Sequence, residues 1–211
     1  IGRLMQGLVP PVTLNFLRWV LAFAILLPLA PWVLRRGSGL WAHRRRFALL
    51  GLLGVGTYNA LQYLALKTST PLNVTLVASS APLWTMALGA LFFQARVSRP
   101  QLLGALLSMA GVLVVLARGD GSQLAALRLV PGDLFILLAT LSWAWYSWLL
   151  TRRDEPEPIR ADWAAFLLAQ VVFGLGWSGL FSAAEWTLTD ARITWGWPLA
   201  GAHRSATTRR R

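Results

Sequence analysis

The side chains able to bind a solute are few and lie in an otherwise apolar chain. Arg18 is the one charged residue deep in a long apolar stretch. Six residues after Val12, it stands about 9 Å along a helix. A guanidinium there either serves as counter-ion for an anionic substrate or snorkels to the interface. Asn15, three residues earlier, falls on the same helical face. Asn59, Gln62 and Tyr63 fall at i, i+3 and i+4 and form one polar stripe, with Gly56 a turn earlier. In lipid such a stripe faces protein or water, as interhelical hydrogen-bond glue or as a substrate-facing wall. Pro82 interrupts a third apolar stretch, and its ring displaces the bond to the Ala78 carbonyl. Thr75, Ser79 and Pro82 share a face, so the break reads either as packing or as a bend around a cavity. Trp143 and Tyr146, three apart, line a pocket for an apolar or cationic metabolite or else belong to an interfacial belt with Trp148.

Other chemistry is missing. The chain has no Cys, and its two His, at 43 and 203, lie outside the apolar stretches. Neither a metal cluster nor a thiol nucleophile is expected. No phosphate-binding loop, dinucleotide fingerprint or Ser/His/Asp set occurs, so the sequence points to no catalytic residue, no cofactor and no enzyme.

These residues need elements that hold them in a bilayer. Of 211 residues, 56% are hydrophobic and only 13% charged, about half the charge of a soluble domain. Polar residues are too few to cover a soluble surface of this size. The net charge of +12 therefore reflects loop topology rather than nucleic-acid binding, because a basic face needs a soluble body to carry it. Six apolar runs stand out: Val12–Leu34, Phe47–Leu66, Leu72–Phe93, Gln101–Ala117, Gly132–Leu150 and Trp163–Ala184. Each has a length suited to crossing a bilayer as a helix, and lipid leaves a lone run no other way to satisfy its backbone. The expected fold is an all-α bundle of six membrane helices, sequential neighbours being antiparallel. Gly104, Ser108 and Gly111, and likewise Gly174 and Ser178, read as small-residue faces for close helix contact.

Loop charges orient the bundle. Arg35, Arg36, Arg44, Arg45, Arg46, Arg96, Arg99, Arg152, Arg153 and Arg160 fall on one side. Arg3, Lys67, Arg118, Arg128 and Arg192 fall on the other. Loops 35–46, 94–100 and 151–162 are therefore expected in the cytoplasm. The outward-facing start, which opens on Ile rather than Met, suggests a further helix before residue 1. Residues 195–211 are polar and Arg-rich, and read either as a disordered end or as the product of a frame shift or truncation near 195–200.

The sequence resembles the EamA-type transporters of the drug/metabolite transporter superfamily. The resemblance is carried by PPVTLNFLRWVLAFAILLPLA with Arg18, by the stretch from LLGLLGVGTYNALQYLALKTSTP to SSAPLWTMALGALFF, by RVSRPQLLGALLSMAGVLVVL, and by GDLFILLATLSWAWYSWLLTRR. Together these cover roughly residues 10–185. The resemblance implies ten helices in two five-helix repeats, of which these six match the second to the seventh. On that pattern residues 1–117 form a first repeat lacking its first helix, 118–194 begin the second, and 195–211 lie outside. Laying 158–183 on 11–36 matches Pro158 to Pro11 but sets Ala165 against Arg18. Ala95 stands where the family often carries an acidic residue before the Arg matching Arg96. The implied function is secondary transport of a small metabolite or drug-like solute across the inner or plasma membrane, with Arg18, Asn59, Gln62, Tyr63, Ser79, Pro82, Trp143 and Tyr146 as substrate-binding candidates. A homodimer or further second-half helices would complete the cavity. The alternative is a non-catalytic membrane assembly protein or an inactive transporter fragment.

Overall fold

A computed structural model describes residues 9–117 and 130–189. All six runs form helices: α1 Pro11–Leu26, α2 Arg44–Thr68, α3 Pro71–Phe92, α4 Arg99–Ala117, α5 Pro131–Thr151 and α6 Trp163–Leu188. Among the described residues there is no strand, and the chain is an all-α membrane bundle. Helices α2, α3, α5 and α6 are each long and apolar enough to cross a bilayer, while α1 and the apolar part of α4 are shorter. Arg3, Arg118, Arg128, Arg192, the expected repeat boundary after residue 117 and the tail 195–211 lie outside the described residues.

Several boundaries differ from the sequence reading, each for a physical reason. The first run extends to Leu34, yet α1 stops at Leu26. Pro28 and Pro31 cannot donate to the helical ladder, and the chain continues as a 3₁₀ turn over Pro31–Leu34. Pro82 does not merely kink α3. The helix breaks at Ser80 into Pro71–Ser79 and Ala81–Phe92, with the Ser80 N–H held by the Val77 carbonyl at 3.1 Å. Pro82 then lies in the first turn of the new segment, where a missing N–H costs nothing. Pro11 opens α1, whereas Pro158 belongs to a separate short helix, Glu157–Ala161. The opening of α6 is capped instead by Asp162, which accepts the N–H groups of Ala164 and Ala165 at 2.9 and 3.2 Å.

Helix α2 is irregular at mid-span. Gly51–Thr57 is a seven-residue π-helical stretch between α-helical ends. It is crossed closely by α6: a Cβ on Gly51 would lie 2.6 Å from the Gln170 carbonyl, and one on Gly174 would lie 2.5 Å from Val55. Gly174 is thus a true close-contact residue, as its sequence setting suggests. Gly104 and Gly111 are not, since nothing among the described residues lies within 4 Å of a Cβ built on either. Helix α4 instead turns bulky side chains outward, Leu107 being 75% exposed. The main core joins α1, α2 and α6 through Leu26, Phe47, Val55, Leu168 and Val171, and a smaller one joins α2, α3 and α5 through Ala65, Val74, Ile136 and Ala139.

The three Arg-rich loops gather at one end. Arg46 pairs with Glu155 at 2.8 Å, joining loops 35–46 and 151–162. The Arg152 guanidinium lies 5.0 Å over the Phe93 ring, which brings the third loop to the same end.

Candidate functional site

The π-helical stretch of α2 is where the polar groups of the bundle converge. A shift from i→i+4 to i→i+5 pairing disturbs the carbonyl ladder, and a buried carbonyl needs a donor. Three neighbouring helices supply donors in and beside this stretch. Asn15 Nδ2 of α1 donates to the Val55 carbonyl at 3.1 Å. The Ser142 hydroxyl of α5 donates to Leu53 at 3.2 Å. Trp177 Nε1 of α6 donates to Ala48 at 3.1 Å. Asn15 is wholly buried and its own Oδ1 takes the Trp19 indole N–H at 3.1 Å. It is therefore turned inward while Arg18 is exposed, so the two do not present one face to one environment.

The eight sequence-derived candidates fall into four pairs. Arg18 and Tyr63 meet: the guanidinium donates to the phenol oxygen and lies 5.8 Å from the ring centroid. Trp143 and Tyr146 meet at 5.4 Å between centroids, and Tyr58 lies 4.9 Å from Trp143 on the α2 side. The Tyr146 hydroxyl donates to Gln170 Oε1 at 2.8 Å, and its ring covers Gly54, 3.0 Å from where a Cβ would stand. Asn59 and Gln62 are half-buried on the same helix as Tyr63. Ser79 and Pro82 are not brought to the others. Ser79 returns its hydroxyl to the Leu76 carbonyl at 2.6 Å, and Pro82 is exposed. None of the eight lines the clefts of about 680, 350 and 230 Å³ that open on the bundle.

Two buried carboxylates lie at run ends: Asp133, legible in the sequence only as a cap at the start of its run, and Glu185, which the sequence reading did not single out. Asp133 accepts from the Ser69 hydroxyl, from Asn73 Nδ2 at 3.1 Å and from the Val130 N–H at 2.9 Å. It thereby ties the start of α5 to the turn between α2 and α3. Glu185 is 7% exposed. It accepts the N–H groups of Val12 and Thr13 at 3.3 and 2.9 Å and the Thr13 hydroxyl at 3.0 Å. Pro10, at the head of α1, has no capping side chain, so Glu185 caps that helix from across the bundle. The signal was available: Ser178, Ser182 and Glu185 fall at i, i+4 and i+7, a polar stripe ending an apolar helix. Among the described residues no group of His, Cys, Asp and Glu could hold a metal ion.

Residues 1–117 match the model of the EamA-like transporter family. The chain belongs to the EamA-like transporter family. It is therefore an integral membrane protein of a transporter family rather than of an enzyme family. It is 31% identical over 151 residues to the uncharacterized transporter YyaM of Bacillus subtilis, covering 71% of this chain and 49% of that protein. It is 33% identical over 141 residues to a probable amino-acid metabolite efflux pump of Salmonella typhimurium, covering 64% of this chain and 42% of the pump. It is 29% identical over 182 residues to the aromatic amino acid exporter YddG of Ancylobacter novellus, covering 85% and 62%. The chain spans about half the length of the curated relatives it matches. No solved structure gives a significant match.

Proposed function

We propose that this chain forms the solute-binding half of a gradient-driven secondary transporter that carries a small metabolite across the inner or plasma membrane by alternating access. The observation that carries this reading is the irregular α2 backbone at mid-membrane, wrapped by polar side chains of α1, α5 and α6. Non-α backbone at membrane depth belongs where it is buried in protein or lines a cavity. Arg18 with Tyr63 would receive an anionic group of the solute, and Asn59 and Gln62 would add hydrogen bonds on the same helix. The Trp143–Tyr146 pair would take its apolar or aromatic part. Ser79 and Pro82 act at the α3 break, as a bending point rather than a direct contact. Arg-rich loops at one end favour that end in the cytoplasm. The names of the relatives, an amino-acid metabolite efflux pump and an aromatic amino acid exporter, suit a small amphiphilic solute. A second copy of the chain, or second-half helices, would close the other wall of the cavity.

The competing reading is a non-catalytic membrane assembly protein. It is favoured by Asn15, Ser142 and Trp177, whose polar groups are spent on backbone carbonyls rather than left for a ligand. Reconstitution separates the two: the protein in liposomes under an imposed ion gradient should accumulate a member of a panel of amphiphilic metabolites, and Tyr146→Phe should weaken that uptake. Absence of uptake across the panel would leave the assembly reading.

A further inference from the structure

At the end of the bundle opposite the Arg-rich loops, two opposite charges face one apolar cleft. Lys67 stands in the last turn of α2 and Glu185 near the end of α6. Both line a cleft of about 350 Å³, whose other walls include Val12, Leu61, Leu64 and Phe181. That volume is at the lower end of small-ligand sites. The Lys67 ammonium lies 3.8 Å from Glu185 Oε1, too far for a hydrogen bond, and its side chain is 48% exposed against 4% for Glu185. The two Glu185 oxygens are unequally engaged. Among the described residues Oε2 takes both the N–H and the hydroxyl of Thr13, while Oε1 takes the Val12 N–H at 3.3 Å and faces Lys67.

We propose that this cleft binds a small zwitterion with an apolar side chain, its carboxylate on Lys67 Nζ and its ammonium on Glu185 Oε1. The argument is one of charge balance at the cleft. A lone anion drawn to Lys67 would sit beside the buried Glu185 carboxylate, and a lone cation drawn to Glu185 would sit beside Lys67. Each is penalised where water is scarce. A zwitterion lying alongside the pair, its charges opposed to theirs, satisfies both charges and adds none. Its side chain replaces water against Leu61, Leu64 and Phe181, which favours binding in proportion to the apolar area covered. The site is distinct from Arg18 and the aromatic pair, and it rests on the transport reading only for its purpose.

The test is equilibrium binding to the full chain in nanodiscs with three probes: leucine as zwitterion, leucinamide as ammonium alone, and 4-methylpentanoate as carboxylate alone. Leucine should bind saturably and more tightly than either analogue. Lys67→Met, at a half-exposed position, should weaken leucine about tenfold and bring it level with leucinamide. Glu185→Gln should abolish the advantage of leucine over 4-methylpentanoate. No saturable leucine binding, or equal binding of all three probes, overturns the site. Leucine binding that survives Lys67→Met but is lost in Arg18→Gln also overturns it and leaves the transport reading standing. Binding that follows Lys67 in a protein without flux upholds the site and tells against transport.

Discussion

Asn15 of α1 reaches across to α2 and donates its amide to the Val55 carbonyl at 3.1 Å, inside the π-helical stretch Gly51–Thr57. The same side chain accepts the Trp19 indole N–H. One buried residue thus satisfies a backbone group of one helix and a side-chain donor of its own. Replacing it by Leu, similar in size, removes both partners and leaves two polar groups unpaired. Each orphaned group costs about 1–3 kcal/mol. Asn15→Leu should therefore lower the thermal unfolding midpoint in detergent clearly below that of the parent, whereas Leu17→Ala on the exposed face should shift it little. An unchanged midpoint for Asn15→Leu would show that the carbonyl finds another donor.

The glycines divide into two kinds that the sequence alone does not separate. Gly51 and Gly174 let α2 and α6 touch backbone to backbone, and a Cβ on Gly51 would lie 2.7 Å from the Gly174 nitrogen. Gly51→Ala and Gly174→Ala should each destabilise by about 1–3 kcal/mol through overpacking. Gly104→Ala and Gly111→Ala, where no described residue lies within 4 Å of an added Cβ, should be neutral or slightly stabilising, since Ala is the better helix former by roughly 1 kcal/mol. Chemical denaturation of the four variants measures the difference.

That contrast marks how far the sequence could be read. Apolar length found all six helices, because hydropathy acts locally, but it overran the end of α1 past Pro28 and Pro31, which lack the N–H needed to continue the helix. The small-residue pattern around Gly104 looked the same as that around Gly174. Which of them meets a neighbour depends on how α4 and α6 sit in the bundle, which no local signal encodes. The π-helical stretch was hidden for the same reason, although three glycines in GLLGVGT hint at it. Arg18–Tyr63 and Trp143–Tyr146 came together as polar and aromatic residues in lipid tend to. Asp133 was legible only as a helix cap and Glu185 not at all, because a carboxylate at a run end looks solvated until another helix covers it.

Arg46 and Glu155, 2.8 Å apart and largely shielded, fix loops 35–46 and 151–162 to one end. Single cysteines placed by Gly37→Cys and Glu157→Cys should both resist an impermeant maleimide in intact cells and react after permeabilisation, if the positive side is cytoplasmic. Labelling of one but not the other would contradict the shared end, and labelling of both in intact cells would invert the orientation.

Arg18 offers the sharpest separation of structure from function. It is exposed, and its contact with Tyr63 joins a guanidinium to a neutral phenol rather than to a carboxylate. Exposed polar contacts of this sort are worth about 1 kcal/mol or less. Arg18→Gln should therefore leave the unfolding midpoint within a few degrees of the parent. A guanidinium that receives an anionic group of the solute makes a stronger, charge-assisted bond. Its removal should reduce proteoliposome uptake at limiting solute by about tenfold, the equivalent of roughly 1.4 kcal/mol. Arg18→Lys should recover only part of that loss, because an ammonium keeps the charge but not the planar fork. Uptake that falls only in step with a lowered midpoint would make Arg18 a strut between α1 and α2, and the anionic end of the solute would have to be sought elsewhere.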